Sequence, residues 1–319
     1  MACVVKRLAV IDVGTNAVKI LAADVTQGRL IPFHESSVQT RLGTGLYFGR
    51  RLRADAIRST AEAVAAFSKE AARLGVVQVR CIATSAARDA ENVAELLDAI
   101  KAHSGLDAEV ITGEREAELG FQGVMTDPNL AAHAVLVIDV GGGSTEIILG
   151  DGAGVACRRS VALGTIRLAE SFKTTDPPGQ EALTRCLAEV RKFLDSEVMP
   201  VFQAAISTRL STNPVLVGAS GTSTVLARMF LSSETYDRTV LERVRLTRGW
   251  LDGQCLNLWS IPLEERRRIV GLPPNRADII PFGVVIMRAV LGAFDSRELW
   301  ISTRGLRFAV VKEMAAEAL

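Results

Sequence analysis

Two aspartates in this chain stand at the same place in the same short pattern. In "VIDVGTNAVKI", residues 10–20, Asp12 closes an apolar run and a glycine follows two positions later. In "VIDVGGGSTEI", residues 137–147, Asp139 does the same and three glycines follow. The segments align without a gap, 127 residues apart. A carboxylate at the end of an apolar strand is costly to desolvate unless it meets a cation. A glycine turn beside it lets backbone N–H groups converge on an anion, because no Cβ stands in the way. Together these features suit a phosphate bound with a hard cation such as Mg²⁺, which prefers oxygen ligands and retains waters. Asp12, Asp139 and Glu146 are the candidate metal ligands, for Mg²⁺ with Mn²⁺ as the alternative. Lys19 occupies in the first copy the position of Glu146 in the second, so the two loops are chemically unequal. One is expected to carry the metal chemistry and the other mainly to grip phosphate.

The candidate phosphate-binding positions are Asp12, Gly14, Thr15, Asn16 and Lys19 in the first loop. In the second they are Gly141, Gly142, Gly143, Ser144 and Thr145. "GASGTS", residues 218–223, follows an apolar strand and opens a helix, which adds Gly221 and Thr222 as an anion or nucleotide contact. One glycine turn alone is most often an ordinary hairpin. The repetition, with aspartate before the glycine both times, is what favours a function.

The elements around these loops also repeat. "RLAVID", "AVKILAADV" and "RLIPFHESSVQT" read as three strands rich in Val and Ile, with a turn at "TQG". A helical pattern ending in Arg73 and Gly75 follows, then "VVQVRCIAT" as a buried strand, a helix from "DAENV", a short strand "DAEVIT" and a helix entered from Gly113. The second half opens on "HAVLVID", "STEIILGD" and "GVACRRSVAL", again three strands. A long helix "QEALTRCLAEVRKFLDSEV", a strand "PVLVGAS", several helices, a strand "ELWIST" and a last helix complete it. Three strands followed by alternating helices and strands, twice over, predict two similar α/β domains. The expected limits are 1–127 and 128–304, with the helix at about 305–319 packing back onto the first domain.

Composition narrows the function. A net charge of +1 leaves no global basic field for nucleic acid, so a polyanion must rely on local cations. The five cysteines make no CxxC pair and are odd in number, which points to reduced, mostly buried thiols in a cytoplasmic protein. No signal peptide and no membrane-spanning run is expected. The GxxxxGK[ST] loop is missing, "GTGLYFG" has the wrong spacing for a dinucleotide loop, and "GASGTS" does not match GxSxG. His34, His103 and His133 have no metal-ligand spacing and read as surface or loop residues. "EERRRIV", with Arg266–Arg268, reads as a solvated helix face.

The chain resembles the exopolyphosphatase / guanosine pentaphosphate phosphohydrolase family in its short two-domain form. The resemblance runs in order through "IDVGTNAVKIL", "RLGTGL", "ATSAARDAEN", "ITGEREAELGFQGV", "VIDVGGGSTE", "VALGTIRLAE", "GASGT", "NRADIIPFGVVIM" and "STRGLRFAVV". It implies two ribonuclease H-like α/β domains of the actin, sugar kinase and heat-shock chaperone ATPase superfamily, with an interdomain cleft. It implies Glu116 as the residue that activates water, because "GEREAEL" matches the family's "G-x-E-E-A-x-L" helix start. The family's first glutamate there is Arg115 in this chain, and the serine usual after Asn16 is Ala17. Without the resemblance, Glu114, Glu116 and Glu118 would read as acids favoured by a helix N-terminus. Arg88 matches the arginine of the "TSAxRdA" segment, and its fork suits phosphate oxygens. With Asp139 and Glu146 these form the catalytic set. The implied reaction is removal of terminal phosphate from inorganic polyphosphate. The alternatives are guanosine pentaphosphate 5′-phosphohydrolysis, a small-molecule kinase, and a non-catalytic sensor of guanosine tetraphosphate or polyphosphate. A homodimer is a family-level expectation; nucleic-acid and membrane partners are not expected.

Overall fold

The computed structural model describes residues 5–26, 29–209, 214–219 and 221–317. The turn expected at "TQG" involves Gln27 and Gly28, which lie outside the described residues, as do Cys3 and Ser220. The chain forms two compact units, residues 1–126 with 305–319, and residues 127–304.

The first unit carries a five-stranded sheet of β1 (Lys6–Val13), β2 (Ala17–Thr26), β3 (Arg29–Gln39), β4 (Gln78–Ala83) and β5 (Ala108–Val110), in the order β3-β2-β1-β4-β5. β1 to β3 form an antiparallel meander, while β4 and β5 run parallel to β1. β1 is buried on both faces, so its apolar run is nearly continuous and the two faces serve two cores. On one face Ile11, Val13 and Ile20 meet Ile57, Val64 and Phe67 of the helix Ala54–Arg73. On the other, Leu8, Val10 and Leu21 meet Phe308, Val311 and Met314 of the terminal helix Leu306–Glu317.

The second unit has a six-stranded sheet of β6 (Val135–Val140), β7 (Thr145–Asp151), β8 (Gly154–Val161), β9 (Val215–Gly218), β10 (Arg245–Thr247) and β11 (Glu298–Ile301), in the order β10-β11-β9-β6-β7-β8. β6 to β8 repeat the meander, and β9 runs parallel to β6 as β4 does to β1. The short antiparallel edge strand β10 has no counterpart among the described residues of the first unit and was not legible between the helices. The helix Ile280–Ala293 is buried along almost its whole length.

Two sequence expectations change. Arg266 is buried, at 4% exposure, and bonds Asp176, which also accepts from the backbone N–H of Leu263; the "EERRRIV" segment is not a uniformly solvated face. His34 is not a loop residue: it lies on β3, with its Nε2 3.3 Å from Glu70. Cys81, Cys186 and Cys255 are buried free thiols, each pushed up to about 12 chiefly by desolvation.

Candidate active site

In each unit the residues singled out in the sequence gather where parallel strands end. This is where α/β sheets place their ligands.

The first loop joins β1 to β2. Gly14 N–H donates to Ala17 O at 3.1 Å and closes the turn. Asp12 lies directly across from Lys19 in the antiparallel register, so the two side chains share a face. The second loop has the same construction. Gly141 N–H donates to Ser144 O at 2.9 Å, and Asp139 lies directly across from Glu146. The unequal pairing inferred from sequence is therefore built into the register: acid with amine in one unit, acid with acid in the other.

What shapes both loops is a segment behind them. Gly43 N–H donates to Thr15 O at 2.8 Å and Arg41 N–H to Asn16 O at 3.0 Å. In the second unit Thr165 N–H donates to Gly141 O at 3.0 Å, Ile166 N–H to Gly142 O at 2.8 Å, and Arg167 Nε to Gly143 O at 2.7 Å. A trans peptide holds its N–H opposite its C=O. Carbonyls tied down behind a loop thus turn the N–H groups of Asn16, Ala17, Gly142, Gly143 and Ser144 the other way, as an anion nest requires. The backing segments share "LGT", residues 42–44 and 163–165, so the internal repeat reaches past the strands. Both glycines are needed for close approach. A Cβ on Gly43 would lie 2.2 Å from Thr15 Cγ2, and one on Gly164 would lie 2.5 Å from Gly142 and Gly143 backbone atoms. The sequence shows these motifs but not that they serve the loops.

Glu116 and Arg88 come together in the first unit. Arg88 sits on the short helix Ser85–Asp89, just after β4, and Glu116 on the helix Gly113–Val124, just after β5. Thr112 caps that second helix by accepting from Arg115 N–H. Arg88 Nη1 donates to Glu116 Oε2 at 2.6 Å and to Ile111 O at 3.1 Å, with both side chains less than one-fifth exposed. Charge-assisted bonds of this kind are strong and hold both partners in one geometry.

Burial pushes the Asp12 carboxyl above its ordinary value, against the pull of Lys19 and Arg307. Asn16 Oδ1 is buried and has no hydrogen-bond partner. Both features fit a loop that expects a cation. Glu146 is 2% exposed and accepts from Ser160 Oγ at 2.7 Å, which fixes its carboxylate. Among the described residues no three His, Cys, Asp or Glu side chains group as a metal site. The second unit offers the pair Asp139 and Glu146, and Asp12 belongs to the first. A two-carboxylate site fits Mg²⁺, which takes its other ligands from water and substrate phosphate.

Thr145 and Thr222 are turned to the backbone. Thr145 Oγ1 donates to Leu163 O, and Thr222 Oγ1 donates to Val140 O at 2.8 Å. Their hydroxyls shape the second loop and tie it to the helix Gly221–Phe230. Gly221 packs against Arg276, whose Nη1 would lie 2.9 Å from an added Cβ. Burial, then the like charge of Arg228, pushes the Arg276 guanidinium down to about 10, so it stays charged at neutral pH. Arg167 and Arg276 are cations not singled out in the sequence, because each meets its neighbour, Gly143 or Gly221, from far along the chain.

The repeated meander with its parallel strands is the fold of the actin-like ATPases. Within that class the chain belongs to the Ppx/GppA phosphatase family, whose model matches residues 21–318. Exopolyphosphatase 2 of Mycobacterium tuberculosis is 33% identical over 292 residues, covering 88% of each chain. Exopolyphosphatase 1 of Mycobacterium bovis is 27% identical over 98% of this chain and 89% of its own. The crystal structure of the Aquifex aeolicus Ppx/GppA family member is 31% identical and superposes with a TM-score of 0.80 over 99% of both chains. That of an exopolyphosphatase from Cytophaga hutchinsonii is 28% identical, with a TM-score of 0.86 over 98% of both.

Proposed function

We propose that this chain is an exopolyphosphatase, which hydrolyses the terminal phosphoanhydride bond of inorganic polyphosphate and releases orthophosphate. The observation that carries the reading is the partly buried Arg88–Glu116 pair, on helices that follow β4 and β5 in the sheet of the first glycine loop. The exopolyphosphatase names of its relatives supply the substrate class.

Phosphoanhydride hydrolysis needs an in-line water, neutralised phosphoryl oxygens and a stabilised leaving phosphate. The backbone N–H groups of both loops bind phosphate oxygens. Lys19 adds a cation in the first unit. Glu116 accepts from the attacking water and orients it, and Arg88 keeps that carboxylate aimed while offering its fork to phosphate. Asp139 and Glu146 would hold Mg²⁺ in the second unit, and the ion would supply the largest local positive charge. A cytoplasmic location and a homodimer belong to the same proposal.

The test is orthophosphate release from long-chain polyphosphate, short-chain polyphosphate and guanosine pentaphosphate in parallel, with Mg²⁺ and with EDTA. Metal-dependent release, fastest from polyphosphate, is the expected result. Faster release from guanosine pentaphosphate, or transfer of phosphate from ATP to an acceptor, would overturn it.

A further inference from the structure

Arg115 departs from the family's acidic pattern, and the structure shows what the arginine does. Its Nη2 donates to Glu313 Oε1 at 2.6 Å, and its Nη1 lies 3.5 Å from Glu118. Glu313 is on the terminal helix, 198 residues along the chain. The contact therefore ties the helix that carries Glu116 to the last helix of the unit. Burial works against the Arg115 charge, but Glu313 and Glu118 outweigh it and hold the guanidinium above its ordinary value.

The same terminal helix reaches the first loop from its other end. Arg307 Nη1 donates to Ile20 O at 2.8 Å, and its Nη2 is 3.4 Å from Glu35 on β3. Ile20 is the neighbour of Lys19 and lies across from Ile11, the neighbour of Asp12. Along the same helix Leu306, Phe308, Val310, Val311 and Met314 are buried against β1, β2 and the Glu116 helix. At the far end of that helix Gly123 meets Gly305 backbone to backbone: a Cβ on Gly123 would lie 1.9 Å from Gly305 O. The helix bearing Glu116 is thus held at both ends by the terminal segment, by an ion pair near its start and a glycine contact near its finish.

We propose that the terminal helix positions the first-unit site, with Glu313 acting through Arg115 on the Glu116 helix and Arg307 on the β2 end of the phosphate loop. This rests on the assignment of Glu116 as the residue that orients water. Arg115, Glu313 and Arg307 are positioning residues in this account.

The experiment compares wild type with Glu116→Gln, Arg115→Glu, Glu313→Gln and the exchanged pair Arg115→Glu with Glu313→Arg. Each is measured by kcat and KM for polyphosphate and by thermal melting. Arg115→Glu sets three carboxylates together, so the Glu116 helix start moves away. A shift near 1 Å can reduce kcat by about 10²-fold, and part of that loss is expected here with KM and Tm little changed. Glu313→Gln, the milder variant, should show a smaller loss in kcat, and the exchanged pair should recover most of it. Unchanged kcat in Arg115→Glu and Glu313→Gln, with Glu116→Gln inactive, overturns the positioning role and leaves the site reading standing. Loss that the exchange does not restore also overturns it. Activity in Glu116→Gln would instead overturn the site reading on which it rests.

Discussion

Gly164→Ala is the sharpest perturbation of the second loop. Gly164 has φ −146°, an extended value that alanine adopts without strain, so the backbone itself tolerates the change. The obstacle is contact. The new Cβ would lie 2.5 Å from Gly142 C and O and from Gly143 N, all backbone atoms without a rotamer to move. That is about 1 Å inside ordinary carbon contact, so the loop must retreat by roughly that distance. Overpacking of this kind costs about 1–3 kcal/mol of stability. A misplacement of about 1 Å in a positioned group costs up to about 10²-fold in rate, or roughly 2.7 kcal/mol of transition-state stabilisation. The assay is orthophosphate release from polyphosphate with Mg²⁺, giving kcat and KM, with a melting curve on the same preparation. Gly249→Ala is the control, because its added Cβ meets nothing within 4 Å. The expected result is a loss of kcat/KM near 10²-fold in Gly164→Ala and none in the control. Full activity in a folded Gly164→Ala protein would refute the view that this glycine sets the loop.

Asp139→Asn and Glu146→Gln should each raise the Mg²⁺ concentration needed for half-maximal rate by at least about tenfold, since one carboxylate of a two-carboxylate site is lost; titration of activity with MgCl₂ checks this. Glu242 tests the electrostatics of the second unit. Burial draws its carboxyl upward, but Arg304, Thr303 and Arg238 outweigh burial and hold it below its ordinary 4.5. A depressed acid adds stability that is present above its unfolded value and lost as pH falls through the folded one. Glu242→Gln should therefore melt lower than wild type at pH 7, and the gap should close as pH falls below 4.5; a gap constant with pH would contradict it.

The parts of the site legible in the sequence are those set by local spacing. Asp12 to Lys19 and Asp139 to Glu146 are each seven residues apart around a tight turn, so their cross-strand pairing follows from the hairpin. The second meander was readable because it repeats the first. What could not be read depends on partners distant in sequence. The Arg88–Glu116 bond joins residues 28 positions apart on two helices, and no pattern in either announces the other. Arg266 looked like a solvated charge because Asp176 lies 90 residues before it. Gly43 and Gly164 likewise answer to partners distant in sequence: an added Cβ would meet the Thr15 side chain in one case and the Gly142 and Gly143 backbone in the other. The strand β10 is three residues long, too short for any period to register.

The central claim is that Glu116 orients water for attack on a terminal phosphoryl group. The most direct measurement is orthophosphate release from long-chain polyphosphate with saturating Mg²⁺ by wild type and by Glu116→Gln, with folding of both confirmed by melting. The account predicts steady release by wild type and a loss of about 10²- to 10⁴-fold in kcat for the variant, the range for removing a positioned acid–base group. Release by a folded Glu116→Gln protein at the wild-type rate would contradict it.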